Sequence, residues 1–295
     1  MKQRKTRLFI WDDSRLKAID IHEHMRKVGV WVDWENTVDR FLAGNPSSEV
    51  NGIAVSWMPT LPNLERALNA GCNLFVTHEP LYAVKIDDEG NVVGGTPFID
   101  PHLQGLKEKR FGKDDAWVKK QRWLEETGMT VYRCHDFWDD FPEEGIHGAW
   151  ADWLGFNGKP IKTKRFYEIH KFDEMTFGDL AERILERVRL LGQEVIHVIG
   201  DLKKRVSSIA IGTGAITDYR EMHEMGADVL LLTDDGTRLW ESGQWAVESD
   251  TPLIIVNHST SEEPGIITLA RYIERIFREV PVMHIPTGCI YKTIK

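Results

Sequence analysis

At 295 residues, 42% of them hydrophobic, the chain has material for a large core and exceeds one average domain, so two medium lobes are expected. A net charge of −9 argues against a broad nucleic-acid-binding face. The basic stretches Lys2–Arg7 and Lys107–Arg122, the second broken by Glu108, Asp114 and Asp115, read as solvated surface, with a local phosphate-facing role as the alternative. Three scattered cysteines, Cys72, Cys134 and Cys289, make neither a disulfide framework nor a zinc-knuckle spacing, and predict reduced thiols in a cytoplasmic protein. Leu8–Trp11 is too short for a signal h-region, and no run approaches the roughly 20 apolar residues that cross a bilayer, so no membrane role is expected.

In chain order, Ser14 reads as the cap of a helix ending at Gly29, in which His22 and His24 fall two apart and are expected on a solvated face. Asn51–Ser56 is a short buried strand, Leu61–Asn69 a helix stopped by Gly71, and Leu74–Thr77 a second apolar strand that ends at His78-Glu79, with Pro80 forbidding further ladder pairing. Asp87–Gly90 is a polar loop, either plain surface or a lid. A helix over Asp114–Glu126 stops at Gly128, and a strand over Met129–Tyr132 runs into Cys134-His135-Asp136-Phe137-Trp138-Asp139-Asp140. A helix over Ile146–Leu154, a strand over Ile161–Ile169 and an amphipathic helix capped by Thr176 and ending at Gly192 follow, then a strand over Val195–Ile199.

The earlier pattern then returns: strand Val206–Ile211, tight loop Gly212-Thr213-Gly214, helix Thr217–Met225 stopped by Gly226, and strand Asp228–Leu232 ending at Asp234-Asp235. A strand–helix–strand unit is thus used twice, in two related lobes, residues 1–155 and 156–295, intertwined as one structural unit. The second lobe closes with strand Leu253–Val256, the polar segment Asn257–Gly265, helix Ile266–Arg278 and strand Val282–Ile285.

Three strand ends offer His78/Glu79, His135/Asp139 and His258/Glu262. In an α/β body such ends converge on one cleft. Imidazoles with carboxylates and no cysteine make a mixed nitrogen/oxygen site of the kind that holds one or two divalent ions. His258 and Glu262, four apart, share a face if that segment is helical. Gly212–Gly214 is read as a tight strand-to-helix turn, with a phosphate cradle as the alternative. Asp234 and Asp235 are left outside the ligand set, and His102, His147, His170, His197, His223 and His284 default to structure.

In five ordered blocks the sequence resembles the NIF-three-like family (NGG-interacting-factor-three-like), whose members are often labelled GTP cyclohydrolase I type 2 homologues. The blocks are His78-Glu79-Pro80-Leu81 where the family has His-His-Pro-Leu; His135–Asp139 where it has His-Thr-Asn-Leu-Asp; Gly212-Thr213-Gly214; Gly226-Ala227-Asp228; and His258–Glu262. The resemblance implies two interlocked α/β lobes with the site in the cleft between them, and two divalent ions (Zn, Mn or Fe) per chain held by His78, Glu79, Asp139, His258 and Glu262. His135 is implied as a neighbour, a proton shuttle, rather than a ligand. A homo-oligomer, a ring of six, is also implied. Glu79 departs from the family pattern: a third carboxylate leaves two divalent ions with less residual charge, which favours harder ions such as Mn or Fe over Zn. The function so implied is a two-metal hydrolase attacking a small substrate, a purine nucleotide on the family's label, through a metal-bound water. The alternatives are a non-enzymatic metal-binding or protein-interaction scaffold, and a copy whose site has decayed at Glu79.

Overall fold

The structure, a computed structural model, describes residues 15–96, 105–106, 108–215 and 217–294. Lys2–Arg7, Leu8–Trp11, Ser14, His102 and Lys107 lie outside these residues. The chain opens with α1 (Ala18–Val28), β1 (Arg40–Ala43), β2 (Ile53–Ser56), α2 (Leu61–Asn69) and β3 (Leu74–Thr77). Then come β4 (Val84–Ile86), β5 (Val92–Gly95), α3 (Ala116–Thr127), β6 (Thr130–Arg133), α4 (Asp136–Asp139) and α5 (Ile146–Trp153). The remainder runs β7 (Lys162–Lys164), β8 (Tyr167–Thr176), α6 (Phe177–Arg189), β9 (His197–Ile199), β10 (Arg205–Ile211), α7 (Tyr219–Glu224) and β11 (Val229–Thr233). It ends with α8 (Gln244–Ser249), β12 (Leu253–Val256), α9 (His258–Ile276) and β13 (Val282–His284).

Two sheets organise these elements, ordered β1-β6-β3-β2-β13 and β7-β8-β10-β11-β12-β9. Strands β6, β3, β2 and β13 are mutually parallel, as are β10, β11 and β12. Every residue of β2, β3 and β11 is buried, as strands covered on both faces must be, which is why they read as unbroken apolar runs. The two strand–helix–strand units, β2-α2-β3 and β10-α7-β11, each supply a parallel pair at the middle of one sheet. Local signals set most boundaries. Thr60 accepts from Asn63 N to start α2, Thr176 and Asp179 cap α6 reciprocally, and Gly128 leaves α3 in the left-handed conformation (φ 67°).

Residues 156–295 also supply elements to the first sheet and its core. Strand β13 pairs with β2 in the first sheet, Val282 to Ile53 through His284 to Val55. Helix α9 leaves β12 and packs Ile266, Leu269 and Ile273 into the first core, against Ile21, Met25, Val55, Val76 and Trp138. Helix α5 stitches the cores together: Ile146 belongs to the first, while Trp150 and Leu154 join Phe177, Leu180, Ile209 and Ile254 in the second.

Three expectations need correction, and the Asp87–Gly90 loop takes the plain-surface form of its two readings. The strand over Ile161–Ile169 is a hairpin, β7 antiparallel to β8. The Asp87–Gly90 loop is the turn between β4 and β5, closed by Asn91 N donating to Asp87 Oδ1 (2.8 Å), and Val84 and Val92 pack on Val118 of α3. His22 and His24 are half-buried rather than solvated, with Nδ1 of His22 3.0 Å from the Tyr132 hydroxyl and Nε2 of His24 2.8 Å from that of Tyr272. Helix α9 begins at His258, eight residues before its expected start, with Pro264 inside it.

Gly265 marks the closest approach of α9 to α5. A Cβ there would lie 2.6 Å from Ile146 Cδ1 and 2.8 Å from Ile146 Cα, and backbone cannot step aside as a side-chain tip can. Gly265→Ala is therefore expected to destabilise the fold by about 1–3 kcal/mol, lowering the urea midpoint. An unchanged midpoint would mean that the helices separate without cost.

Candidate metal centre

Strand β3 hands His78 and Glu79 to the cleft, and Pro80 ends the ladder behind them. His78 is buried, and its Nδ1 lies 3.2 Å from the Cys134 carbonyl oxygen. A carbonyl only accepts, so Nδ1 carries the hydrogen and Nε2 presents a lone pair. That Nε2 lies 3.3 Å from Glu262 Oε2 and 3.5 Å from Asp139 Oδ1, and it makes no hydrogen bond. A lone pair facing two carboxylates is repulsive unless a proton or a cation sits among them.

Strand β6 delivers the second group. The single turn of α4 puts His135 and Asp139 on one face, Nδ1 to Oδ2 3.2 Å, with Asp136 Oδ1 3.0 Å from the same nitrogen. The His78 and His135 rings stack at 4.3 Å. Asp39, at the entry to β1, receives the backbone N–H groups of His135 (2.5 Å), Asp136 (2.9 Å) and Phe137 (2.8 Å). Burial pushes its carboxyl up to about 6, against the opposing pull of these bonds.

Strand β12 delivers the third. His258 and Glu262 stand one turn apart at the start of α9, Nε2 to Oε1 3.0 Å. The helix reaches back to His258 because a carboxylate from β11 caps it: Asp234 Oδ1 accepts from His258 N (3.0 Å) and Oδ2 from the Asn257 amide (2.8 Å). Asp235 Oδ2 lies 2.9 Å from His258 Nδ1, an arrangement that leaves Nε2 toward the cleft. Trp57 Nε1, just past β2, donates to Glu262 Oε2 (2.7 Å), and the Thr213 hydroxyl to Oε1 (3.3 Å). Glu79 Oε1 lies 3.9 Å from His258 Nε2, and its Oε2 3.6 Å from the buried Arg133 guanidinium. Arg133 also donates from Nε to the His78 carbonyl (3.0 Å), so the third carboxylate comes with a cation beside it.

The electrostatics follow from the crowding of acids. Burial alone would lower the His258 imidazole, but the charge of Glu262, hydrogen bonds to Asp235 and Glu262 and the charge of Glu79 push it up to about 11. Burial likewise opposes a rise at His135, which Asp139, Asp136 and Glu79 push up to about 10. Burial would raise Glu262, yet the His258 charge, backed by the hydrogen bond from His258, holds it well below the usual carboxylate range.

The five residues expected as ligands thus meet, drawn from the strand ends of both sheets. Two groups have donor atoms within 4.8 Å of one another and can hold a metal ion: His78, His135 and Asp139; and His78, Glu79 and Glu262. His135, expected as a neighbour, stands inside the first group. Gly214 (φ 78°) belongs to a tight turn, as expected, and that turn is also a wall of the site, since a Cβ there would lie 3.4 Å from Glu262 Oε1. A cavity of about 320 Å³ opens beside these donors, with His147 and Phe166 also in its lining. His147, expected as structural, keeps a buried Nε2 without a hydrogen-bond partner. None of the β4–β5 hairpin lines this cavity. Asp39, Trp57 and Arg133 carried no motif; Trp57, just past β2, and Arg133, the last residue of β6, stand where the strand-end rule could have found them.

A family model described as Duf34/NIF3 (NGG1p interacting factor 3) matches residues 107–288. The chain belongs to the DUF34/NIF3 family. This DUF34/NIF3 chain is 20% identical over 265 residues, 86% of its own length and 87% of the relative's, to a Clostridium acetobutylicum protein named GTP cyclohydrolase 1 type 2 homolog. Among solved structures, a Bacillus cereus protein related to NIF3 superposes with a TM-score of 0.72 at 13% identity, covering 96% of this chain and all of that one. A Staphylococcus aureus hypothetical protein gives 0.70 at 18% identity, covering 95% of this chain and all of that one. At these identities the structural likeness establishes the DUF34/NIF3 fold. The three cysteines are free, and among the described residues no helix is long and apolar enough to cross a membrane.

Proposed function

We propose that the chain is a divalent-metal-dependent hydrolase acting on a small substrate held in the cleft. The observation that carries this reading is the bare Nε2 of His78, buried between Asp139 and Glu262, which a cation would satisfy. Six donor side chains, His78, Glu79, His135, Asp139, His258 and Glu262, exceed the four a single tetrahedral ion uses, and support two ions sharing the site. When bound, such a pair supplies an activated water and polarises a carbonyl, amidine or phosphoryl group. The chain's own part is to fix the donors: Cys134 O sets the His78 imidazole, Asp235 that of His258, and Trp57 and Thr213 set Glu262. Arg133 offsets the extra charge of Glu79, which weakens the preference for Mn or Fe that Glu79 alone would give.

A purine nucleotide is the first substrate to test, because the relative from Clostridium acetobutylicum carries the name of a cyclohydrolase and the cavity suits a small molecule. Chain loaded with Mn or Zn should open the purine ring of GTP, seen as loss of the purine absorbance. Chelator should stop the reaction, re-addition of metal restore it, and His258→Ala abolish it. Metal retention without turnover of any nucleotide would favour the scaffold reading, and failure to retain metal at all would end both.

A further inference from the structure

The turn that carries His135 and Asp139 cannot hold itself. Helix α4 has four residues, far short of a length that is stable alone, and its first N–H groups have no partner within the turn. Those groups converge instead on one buried carboxylate from a strand entry 96 residues earlier. Asp39, 3% exposed, takes the N–H groups of His135 and Asp136 on Oδ1 and that of Phe137 on Oδ2. The clamp is reciprocal: Asp136 Oδ2 accepts from the Thr37 hydroxyl (2.8 Å) and from Val38 N (3.3 Å), and Thr37 Oγ1 accepts from Asp39 N (3.0 Å). Five hydrogen bonds therefore tie residues 37–39 to 135–137. The rest of the hold on α4 falls on Phe137 and Trp138, which pack into the first core, where Trp138 Nε1 donates to the Gly265 carbonyl (2.6 Å) and Trp31 Nε1 to that of Phe137 (3.2 Å); the Asp39 clamp is the support that bears on the backbone of His135 itself.

We propose that Asp39 is a positioning residue for the metal centre, holding His135 and Asp139 in place to complete the ion site they form with His78. This rests on the metal-dependent reading above. It follows that the two ends of the centre depend on different supports. The His78/His135/Asp139 end leans on Asp39, and the Glu79/His258/Glu262 end on Asp234, Asp235, Trp57 and Thr213. Asp39→Asn keeps the size but turns one accepting oxygen into a donor amide facing N–H groups, so the turn should swing while the other end stays.

The test is metal stoichiometry of the full-length chain, equilibrated with Mn or Zn, desalted and measured by elemental analysis, with a melting curve of each sample. Wild type should retain two ions. Asp39→Asn should retain one, with affinity for the other about 10–100-fold weaker and a correspondingly smaller metal-induced rise in Tm. Leu64→Ala, a core truncation under β2 and β3, controls for mere loss of stability and should keep both ions. Should Asp39→Asn not fold, Thr37→Val cuts the same clamp more gently and should weaken the same ion by a smaller factor. Full retention by Asp39→Asn or, in its place, Thr37→Val, or equal loss by Leu64→Ala, overturns the positioning role. A wild-type chain that retains no ion overturns the metal reading itself.

Discussion

Glu262→Ala is expected to lower divalent-ion affinity by more than the roughly 10–100-fold that loss of a supporting partner costs, because this carboxylate is where both ends of the centre meet. Its Oε2 faces His78 and its Oε1 faces His258. The truncation also leaves the Trp57 indole N–H without its partner and strips one carboxylate from a His258 imidazolium that keeps Asp235, and so should cost the ion-free chain about 1–3 kcal/mol. Glu262→Gln separates the two effects. It keeps the volume and one accepting oxygen, so most of the stability should survive while ion binding does not. Elemental analysis and urea unfolding of both variants read this directly. Full metal content in Glu262→Gln would remove Glu262 from the ligand set.

Metal uptake at neutral pH is expected to expel protons. In the ion-free chain, the imidazoles of His258 and His135, raised to about 11 and about 10, hold their protons at pH 7. Because both are raised above their ordinary 6.5, the stability they lend the ion-free fold is complete below that value and is lost as pH climbs through about 10 to 11. A cation taken up by the same nitrogens must displace those protons, so apparent affinity should grow with pH. Calorimetric titration with Mn or Zn in two buffers of different ionisation heat counts the release: about one proton per chain if only His258 ligates, about two if His135 does as well. Binding should also raise stability by about 2.7 kcal/mol at a hundredfold excess over Kd. Heats identical in both buffers would show that the ion does not take the imidazoles.

What the sequence reveals is what short stretches of chain decide for themselves. Gly71, Gly128 and Thr176 punctuate helices by their own backbone preferences, and buried parallel strands announce themselves as apolar runs. The three pairs His78/Glu79, His135/Asp139 and His258/Glu262 were legible because each follows the end of such a strand, whereas the set of five rested on the family resemblance. What escaped depends on distant partners. Helix α9 reaches His258 because Asp234 on β11 caps it, and α4 exists because Asp39 does the same from β1. Read locally, Pro264-Gly265 looks like a break and His135–Asp139 like a loop. His22 and His24 look solvated until Tyr132 and Tyr272 arrive from 110 and 248 residues away. The hairpin turn at Lys164–Tyr167 hid for a different reason: β7 is fully exposed and so has no apolar alternation to betray where one strand ends and the next begins.

The return of β13 to the flank of β2 bears on how the polypeptide is made. Until the ribosome has passed His284, one side of β2 has no neighbour, and its row of amides and carbonyls stands open to any extended segment nearby. Closing that gap joins residues more than 200 positions apart, the kind of long-range pairing that slows folding and lengthens exposure to aggregation. Helix α9 is synthesised immediately before β13 and brings His258 and Glu262 with it, so completion of the donor cluster and closure of the first sheet belong to the same late step.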